Sequence, residues 1–440
     1  NYGYSEGTLD NQAVSITTID EAANKPEKRT RITYKDLATN RLLFSKLGNR
    51  ETRIVRNARL QPASVTVKDT ATPNETRTTT YTYCEQADVT AGTCPLVGQV
   101  IKVDGPRTDV ADVTTYTYRT SDESTCATAP TTCPYRKGDL WKVTNALGHV
   151  VELLKYDHVG RLLSVKDANG VVTDYGYTPQ GWLSAKKVRG TDNAVETDDQ
   201  ITSIEYWPTG QVKKITDPTG AFSSFTYDAA ERLTDIVDDA GSKIHYTLDN
   251  AGNRTKEETY AAGNTTPVRT LSRLYNVLGQ LETSADADNN PTDFTYDGND
   301  NLKTVTDPLA HLASHGYDAL NRLTSTLEDE TGLNVKTAYE YDALDNLTKV
   351  TDPRQKATTY TYNAFGEVKK EVSPDRGTTN YTYDSAGNLK TKTDARVPSV
   401  TTTYEYDALN RVTKITAGSE VQTFAYDTCT NGKGRLCSTT

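Results

Sequence analysis

Five histidines are the first side chains to weigh for chemistry: His149, His158, His245, His311 and His315. His311 and His315 lie four apart, the spacing that would present two imidazoles to one metal on a helix. They follow Asp307-Pro308 and precede Tyr317, a turn-then-strand context in which a solvated or packed pair is the simpler reading. Acidic clusters at Asp167-Ala168-Asn169-Gly170, Asp286 to Asn290 and Asp297 to Asp300 could offer oxygens to calcium. The EF-hand spacing with its closing Glu is absent, and Asp and Asn are also the residues that make turns. The pairs Asp198-Asp199 and Asp238-Asp239 have no sequence neighbour that would raise a carboxyl pKa. No nucleophile elbow, phosphate loop or Cys-His pattern occurs. The expectation is therefore no catalytic residue, no metal and no cofactor. An enzymatic site inside one of the longer insertions stays open as a minor alternative. Asn74-Glu75-Thr76, Asn264-Thr265-Thr266 and Asn346-Leu347-Thr348 fit the glycosylation sequon, as a threonine-rich chain will by chance.

Six cysteines fall into three close pairs, Cys84 with Cys94, Cys126 with Cys133, and Cys429 with Cys437. Each pair brackets a polar stretch. The spacing reads as three structural disulfides clamping loops, which implies an oxidising compartment. Reduced thiols are the alternative. Zinc would need further ligands, and no His stands beside any pair.

What must position all of these is a repeat. Tyr341-Asp342-Ala343-Leu344-Asp345-Asn346-Leu347, Tyr362-Asn363-Ala364-Phe365-Gly366-Glu367-Val368 and Tyr383-Asp384-Ser385-Ala386-Gly387-Asn388-Leu389 begin 21 residues apart both times. Between them sits a second signal, of the type Thr351-Asp352-Pro353. Period-two alternation fills the intervals, as in Gln211 to Thr216 and Ala221 to Tyr227. A unit is thus strand, turn, strand, turn. Asp starts a turn by accepting a backbone N–H two residues on, and Gly or Asn supplies the left-handed position. The tyrosine offers a large ring to the sheet while its hydroxyl is expected at a wet edge. The Leu or Val after the turn pairs across the hairpin.

The compact units are led by Tyr156, Tyr177, Tyr206, Tyr227, Tyr275, Tyr296, Tyr317, Tyr341, Tyr362, Tyr383, Tyr406 and Tyr426, the predicted packing residues. Residues 1–75 are the least regular, an irregular or divergent start. Residues 76–440 carry the repeat, with enlarged turns at Cys84 to Cys94 and Cys126 to Cys133. Insertions at Gly190 to Gln200 and Glu328 to Asn334 belong in surface loops. No helical period and no linker interrupts the sequence, so one continuous domain is expected.

Composition agrees with a thin sheet. Of 440 residues, 27 are Tyr and 6 Phe, hydrophobic content is 35%, and mean hydropathy is −0.66. The net charge of −10 disfavours nucleic acid or an anionic membrane as partner. No apolar run is long enough for a membrane helix. The chain begins at Asn1 and has no Met, so an excised or processed piece of a longer protein is expected.

The recurring Tyr-Asp-x-x-Gly/Asn-Arg/Asn-Leu, with Thr-Asp-Pro-x-Gly between, resembles the rearrangement-hot-spot (Rhs) or YD-repeat family, strongly over 156–437 and in divergent form over 76–155. That family includes bacterial polymorphic toxins, the cocoons of insecticidal toxin complexes and teneurin ectodomains. The resemblance implies an all-β fold, a long antiparallel sheet of repeated hairpins spiralling into a hollow shell or solenoid. About 40 strands at ~4.8 Å give a ribbon roughly 200 Å long and a ring roughly 60 Å across, or about one to one and a half turns. The implied function is a rigid scaffold segment of an exported, bacterial, secreted or surface protein that encloses a cargo such as a toxin domain. The alternative is an extracellular fibre or adhesin. Implied partners are the rest of a longer protein, an enclosed cargo, and other copies at strand edges. The family's closing core and variable tip have no counterpart here, so no self-cleaving or toxic residue carries over.

Overall fold

The computed structural model describes residues 1–71, 75–191 and 196–440. The sequon at Asn74 and residues 192–195 of the Gly190 to Gln200 insertion lie outside them. Among the described residues thirty-six strands form one all-β ribbon. Each strand pairs antiparallel with its neighbours in sequence, from Tyr2–Leu9 on Gln12–Glu21 to Glu420–Tyr426 on Leu436–Thr439. The strands of residues 1–75, such as Arg29–Asp36 and Arg50–Arg56, join the same ladder. The ladder does not close: Tyr2–Leu9 has a strand on one side alone among the described residues.

The hairpins are set by their turns. In each compact unit the lead tyrosine faces the residue that opens the return strand, as Tyr156 faces Leu162 and Tyr206 faces Val212, with the next residue of the return strand bulged out. In the units led by Tyr156 to Tyr406 the fourth residue after the tyrosine takes the left-handed conformation: Gly160 has φ 87° and Gly210 φ 100°. A type I turn followed by a left-handed residue and a bulge is a standard way to join two antiparallel strands, and it repeats around the array.

Short helices occur where the sequence showed none. Gln86–Ala91 is an α-helix inside the Cys84–Cys94 loop, and Ser124–Ala127 a 3₁₀ turn at Cys126. Both fill enlarged turns and are too short to carry a helical period.

The ribbon is one layer thick. Its buried apolar side chains, among the described residues, are Val14, Leu43, Tyr83, Cys84, Cys94, Cys133, Tyr246 and Ala364. Total accessible surface is 25030 Å², against about 16,500 Å² for a compact monomer of this mass. One face of each tyrosine strand is the more crowded. Tyr360 and Tyr362 are half-buried while Thr361 between them is exposed, and Tyr404, Glu405 and Tyr406 repeat the pattern.

Candidate functional site: the seam between successive turns of the ribbon

The two rows of turns form the two edges of the ribbon. At the tyrosine edge, Asp157 Oδ1 accepts the N–H groups of Val159 (3.0 Å) and Arg161 (2.9 Å). Asp228, Asp318, Asp342, Asp384 and Asp407 do the same two and four residues on. The other edge uses the same chemistry. Asp217, of Asp217-Pro218, takes the N–H of Thr219 (2.8 Å) and of Ala221 (3.1 Å). These bonds favour the ionised carboxylate, and Asp217, Asp228 and Asp307 are held below the usual carboxylate range first by side-chain partners, Thr219, Arg232 and His311 respectively.

The lead tyrosines stitch hairpin to hairpin. The hydroxyls of Tyr156, Tyr177, Tyr206, Tyr227, Tyr275, Tyr296, Tyr317, Tyr362, Tyr383 and Tyr406 donate to the backbone carbonyls of Leu140, Leu162, Leu183, Val212, Arg254, Leu281, Leu302, Leu347, Val368 and Leu389, at 2.6 to 3.4 Å. Each acceptor opens the return strand of the preceding hairpin. Sequence reasoning left this hydroxyl at a wet edge. It is instead tied to a carbonyl at the turn bulge, and burial pushes the Tyr156 hydroxyl up to about 12. Over the rings of Tyr341 and Tyr426 lie the guanidinium groups of Arg322 (4.9 Å) and Arg411 (4.4 Å).

Of the residues singled out for chemistry, His245 and His315 lie in strands and several others in these turns. His311 Nδ1 is 2.8 Å from Asp307 Oδ2, which raises the histidine pKa. His315 lies in the strand Leu312–Tyr317 with a buried Nδ1 that has no partner. His245 meets Asp235 at 2.8 Å, and His158 is an exposed turn residue. Asp238 and Asp199 accept backbone N–H groups from Ser242 and Gly190. Asp167, Asp286 and Asp297 are turn caps. Asn346 Nδ2 is engaged by Asp342 (2.9 Å), whereas Asn264 is exposed. Among the described residues no group of three or more His, Cys, Asp or Glu side chains could hold a metal. The cysteines are joined as Cys84–Cys94, Cys126–Cys133 and Cys429–Cys437.

What brings distant parts of the sequence together is a set of ties that sequence reasoning did not find. Arg29 donates to the Ala343 carbonyl (3.2 Å) and pairs with Asp345 (2.6 Å). Arg50 donates to the Ala364 carbonyl (2.6 Å), and the buried Asp69 carboxylate accepts the Ala364 N–H (2.8 Å). Arg77 makes a two-pronged pair with Glu367 (2.7 and 2.7 Å), reaches the Asp384 carbonyl (3.4 Å) and covers the Phe365 ring (3.9 Å). Arg107, its side chain 2% exposed, donates to the Asp407 carbonyl and to Asn410. His149 lies 3.5 Å from Asp427, and Asn169 meets Lys433. These partners are separated by 264 to 314 residues for Asn169, Arg29, Arg50 and Arg77. In every case the edge of the early strands opposite their tyrosine turns meets the tyrosine edge of the late strands. The ribbon therefore winds past one full turn and lies against itself along a seam.

The seam is made by side chains reaching backbone turns, with no ladder across it. Arginine suits this work, since its planar donors reach a carbonyl and a carboxylate together. Beside the Arg77 tie is a cavity of about 610 Å³ bordered by Arg77, Thr108, Lys369, Tyr381 and Asp384, and a neighbouring one of about 450 Å³ extends to Arg107 and Tyr404. Residue type alone does not mark the seam: Arg29, Arg50, Arg77 and Arg107 make the ties, while Arg53, Arg56 and Arg59 find partners nearby in sequence or within the first turn.

The RHS repeat family matches residues 156–192, 206–243, 275–311, 317–357, 341–379 and 362–396. The protein belongs to the RHS-repeat family. No curated protein matches this RHS-repeat chain. Among solved structures, the crystal structure of TcdB2-TccC3 is similar over 99% of this chain and 29% of its own, at 15% identity and TM-score 0.51. The Photorhabdus luminescens Tc holotoxin pore is similar over 97% of this chain and 29% of its own, at 14% identity and TM-score 0.50. These likenesses are of fold. The RHS chain spans under a third of the length of either.

Proposed function

We propose that this RHS-repeat protein is a wall segment, a rigid β-shell of an exported bacterial protein that encloses or carries a cargo such as a toxin domain. The observation that carries the reading is the seam. A ribbon one layer thick that returns onto its own edge, as Arg77 does on Glu367, bounds a volume that its own side chains do not fill. About two dozen strands per turn at ~4.8 Å give a ring roughly 40 Å across. This is narrower than 60 Å because the ribbon overlaps itself instead of spreading over one ring. The crowded tyrosine face is assigned to the concave side, where neighbouring side chains converge. Work in this reading is mechanical, with no catalytic residue. Three disulfides support a compartment outside the reducing cytosol. Similarity to Tc toxin structures supports a longer shell around a cargo.

A second reading is a fibre or adhesin, favoured by one feature. Away from the seam both edges end in exposed apolar turn residues, Val159, Val277 and Leu278 on one and Leu309 and Val397 on the other. Copies stacked edge to edge would cover them. Small-angle X-ray scattering across a concentration series separates the two. The shell predicts constant mass and a hollow-cylinder profile. Mass that rises with concentration, with rod-like scattering, would establish the fibre in its place.

A further inference from the structure

We propose that the Cys429–Cys437 disulfide is a reducible latch that fastens the last hairpin of the second turn to the first turn. The loop it closes is the end of the seam. Lys433 donates its N–H to Asn169 Oδ1 (2.8 Å) and accepts from Asn169 Nδ2 at its carbonyl (3.0 Å), so one Asn side chain pairs with the loop as a strand would. At the base of the loop Asp427 takes Arg411 twice (2.6 and 3.0 Å), the Gly434 N–H (2.7 Å) and, across the seam, His149 (3.5 Å).

The shape that presents Lys433 depends on the sulfurs. Cys429 donates its N–H to Cys437 Sγ (3.0 Å), and Gly432 donates its N–H to the Cys429 carbonyl (2.9 Å). Gly432 is buried, and a Cβ there would lie 2.7 Å from Cys429 Sγ, so the backbone is wrapped directly on the bridge. The access is uneven. Cys429 is exposed, whereas Cys84, Cys94 and Cys133 are buried in loops on the tyrosine edge of the first turn. A small dithiol therefore reaches the seam disulfide first. Its thiolate attacks Cys429 Sγ, Cys437 leaves as a thiolate and takes a proton, and the second thiol of the reductant displaces the mixed disulfide. Two electrons pass, leaving two cysteine thiols and a cyclic oxidised reductant. The open loop then loses the conformation that meets Asn169. The Arg29, Arg50, Arg77 and Arg107 ties do not involve it and stay closed.

The test is a dithiothreitol titration of the 440-residue protein under native conditions, with alkylation mass spectrometry and amide hydrogen exchange. The latch predicts that Cys429 and Cys437 are alkylated while Cys84 and Cys94 remain bonded. It further predicts that exchange at Lys433 and Gly434 rises roughly tenfold or more, with segments around Arg77 and Glu367 unchanged. Asn169→Ala with the disulfide intact is expected to free the Lys433 amide without any reductant. Cys429→Ser/Cys437→Ser is expected to show the open pattern at all reductant concentrations. Unchanged protection of Lys433 after complete reduction, or opening of Cys84–Cys94 first, would overturn the proposal.

Discussion

At the scale of single residues, the repeat is a division of labour among tyrosine, aspartate and the left-handed position. Tyr156→Phe removes one hydroxyl from the Leu140 carbonyl and leaves the ring in place. It is expected to cost about 1 kcal/mol, read as a shift of the urea midpoint with unchanged slope. The left-handed position gives a prediction of opposite sign. Glu231 sits there at φ 62°, where a residue with a Cβ is strained by roughly 1 kcal/mol. Glu231→Gly is therefore expected to stabilise the fold slightly, after loss of the exposed Gln211 contact. Gly210→Ala is expected to destabilise it, because φ is 100° and the new Cβ would meet Trp182 at 2.9 Å. Thermal melts of the two variants settle the signs. These roles were legible in part. Asp and Gly follow from turn chemistry, but the tyrosine hydroxyl's acceptor lies in the neighbouring unit, at its turn bulge.

At the scale of elements, hairpins and seam respond to pH at opposite ends of the range. Asp427 is held down to about 2 from 3.8, first by Arg411 and then by the Gly434 N–H and His149. A carboxyl whose folded pKa is depressed contributes stability above its unfolded value and loses it as pH falls toward the folded one. The seam end is thus expected to hold at pH 5 and to loosen between 3.8 and about 2. Tyr156 is raised from 10.0 to about 12 by burial. Its contribution is complete below pH 10 and lost as pH rises through about 12. Hydrogen exchange at pH-matched intrinsic rates, following Gly434, and tyrosinate absorbance at 295 nm check the two limbs. The antiparallel hairpins and their period were readable because turn signals and alternation are local. The helix at Gln86–Ala91 was not, since a six-residue helix is fixed by its cap Glu85 and its disulfide frame.

At the scale of the whole molecule, the repeat period sets the length of the ribbon but not where it meets itself. Contacts between residues some 300 positions apart leave no periodic trace. The seam's arginines, Arg29, Arg50, Arg77 and Arg107, stand in the irregular or divergent part of the repeat, so the pattern that reveals the hairpins does not reveal the docking surface. Arg77→Glu is expected to leave Glu367 unpaired and to cost about 3 kcal/mol of seam stability, with partial recovery in Arg77→Glu/Glu367→Arg, measured by proteolytic opening of the 70–110 region. The most direct test of the winding is a distance. Nitroxides at Thr108 and Ser385, which face one cavity at the seam, are predicted to give a single short distance by pulsed dipolar spectroscopy. In an unwound ladder the same pair would stand roughly 110 Å apart, and absence of any short distance would contradict the spiral.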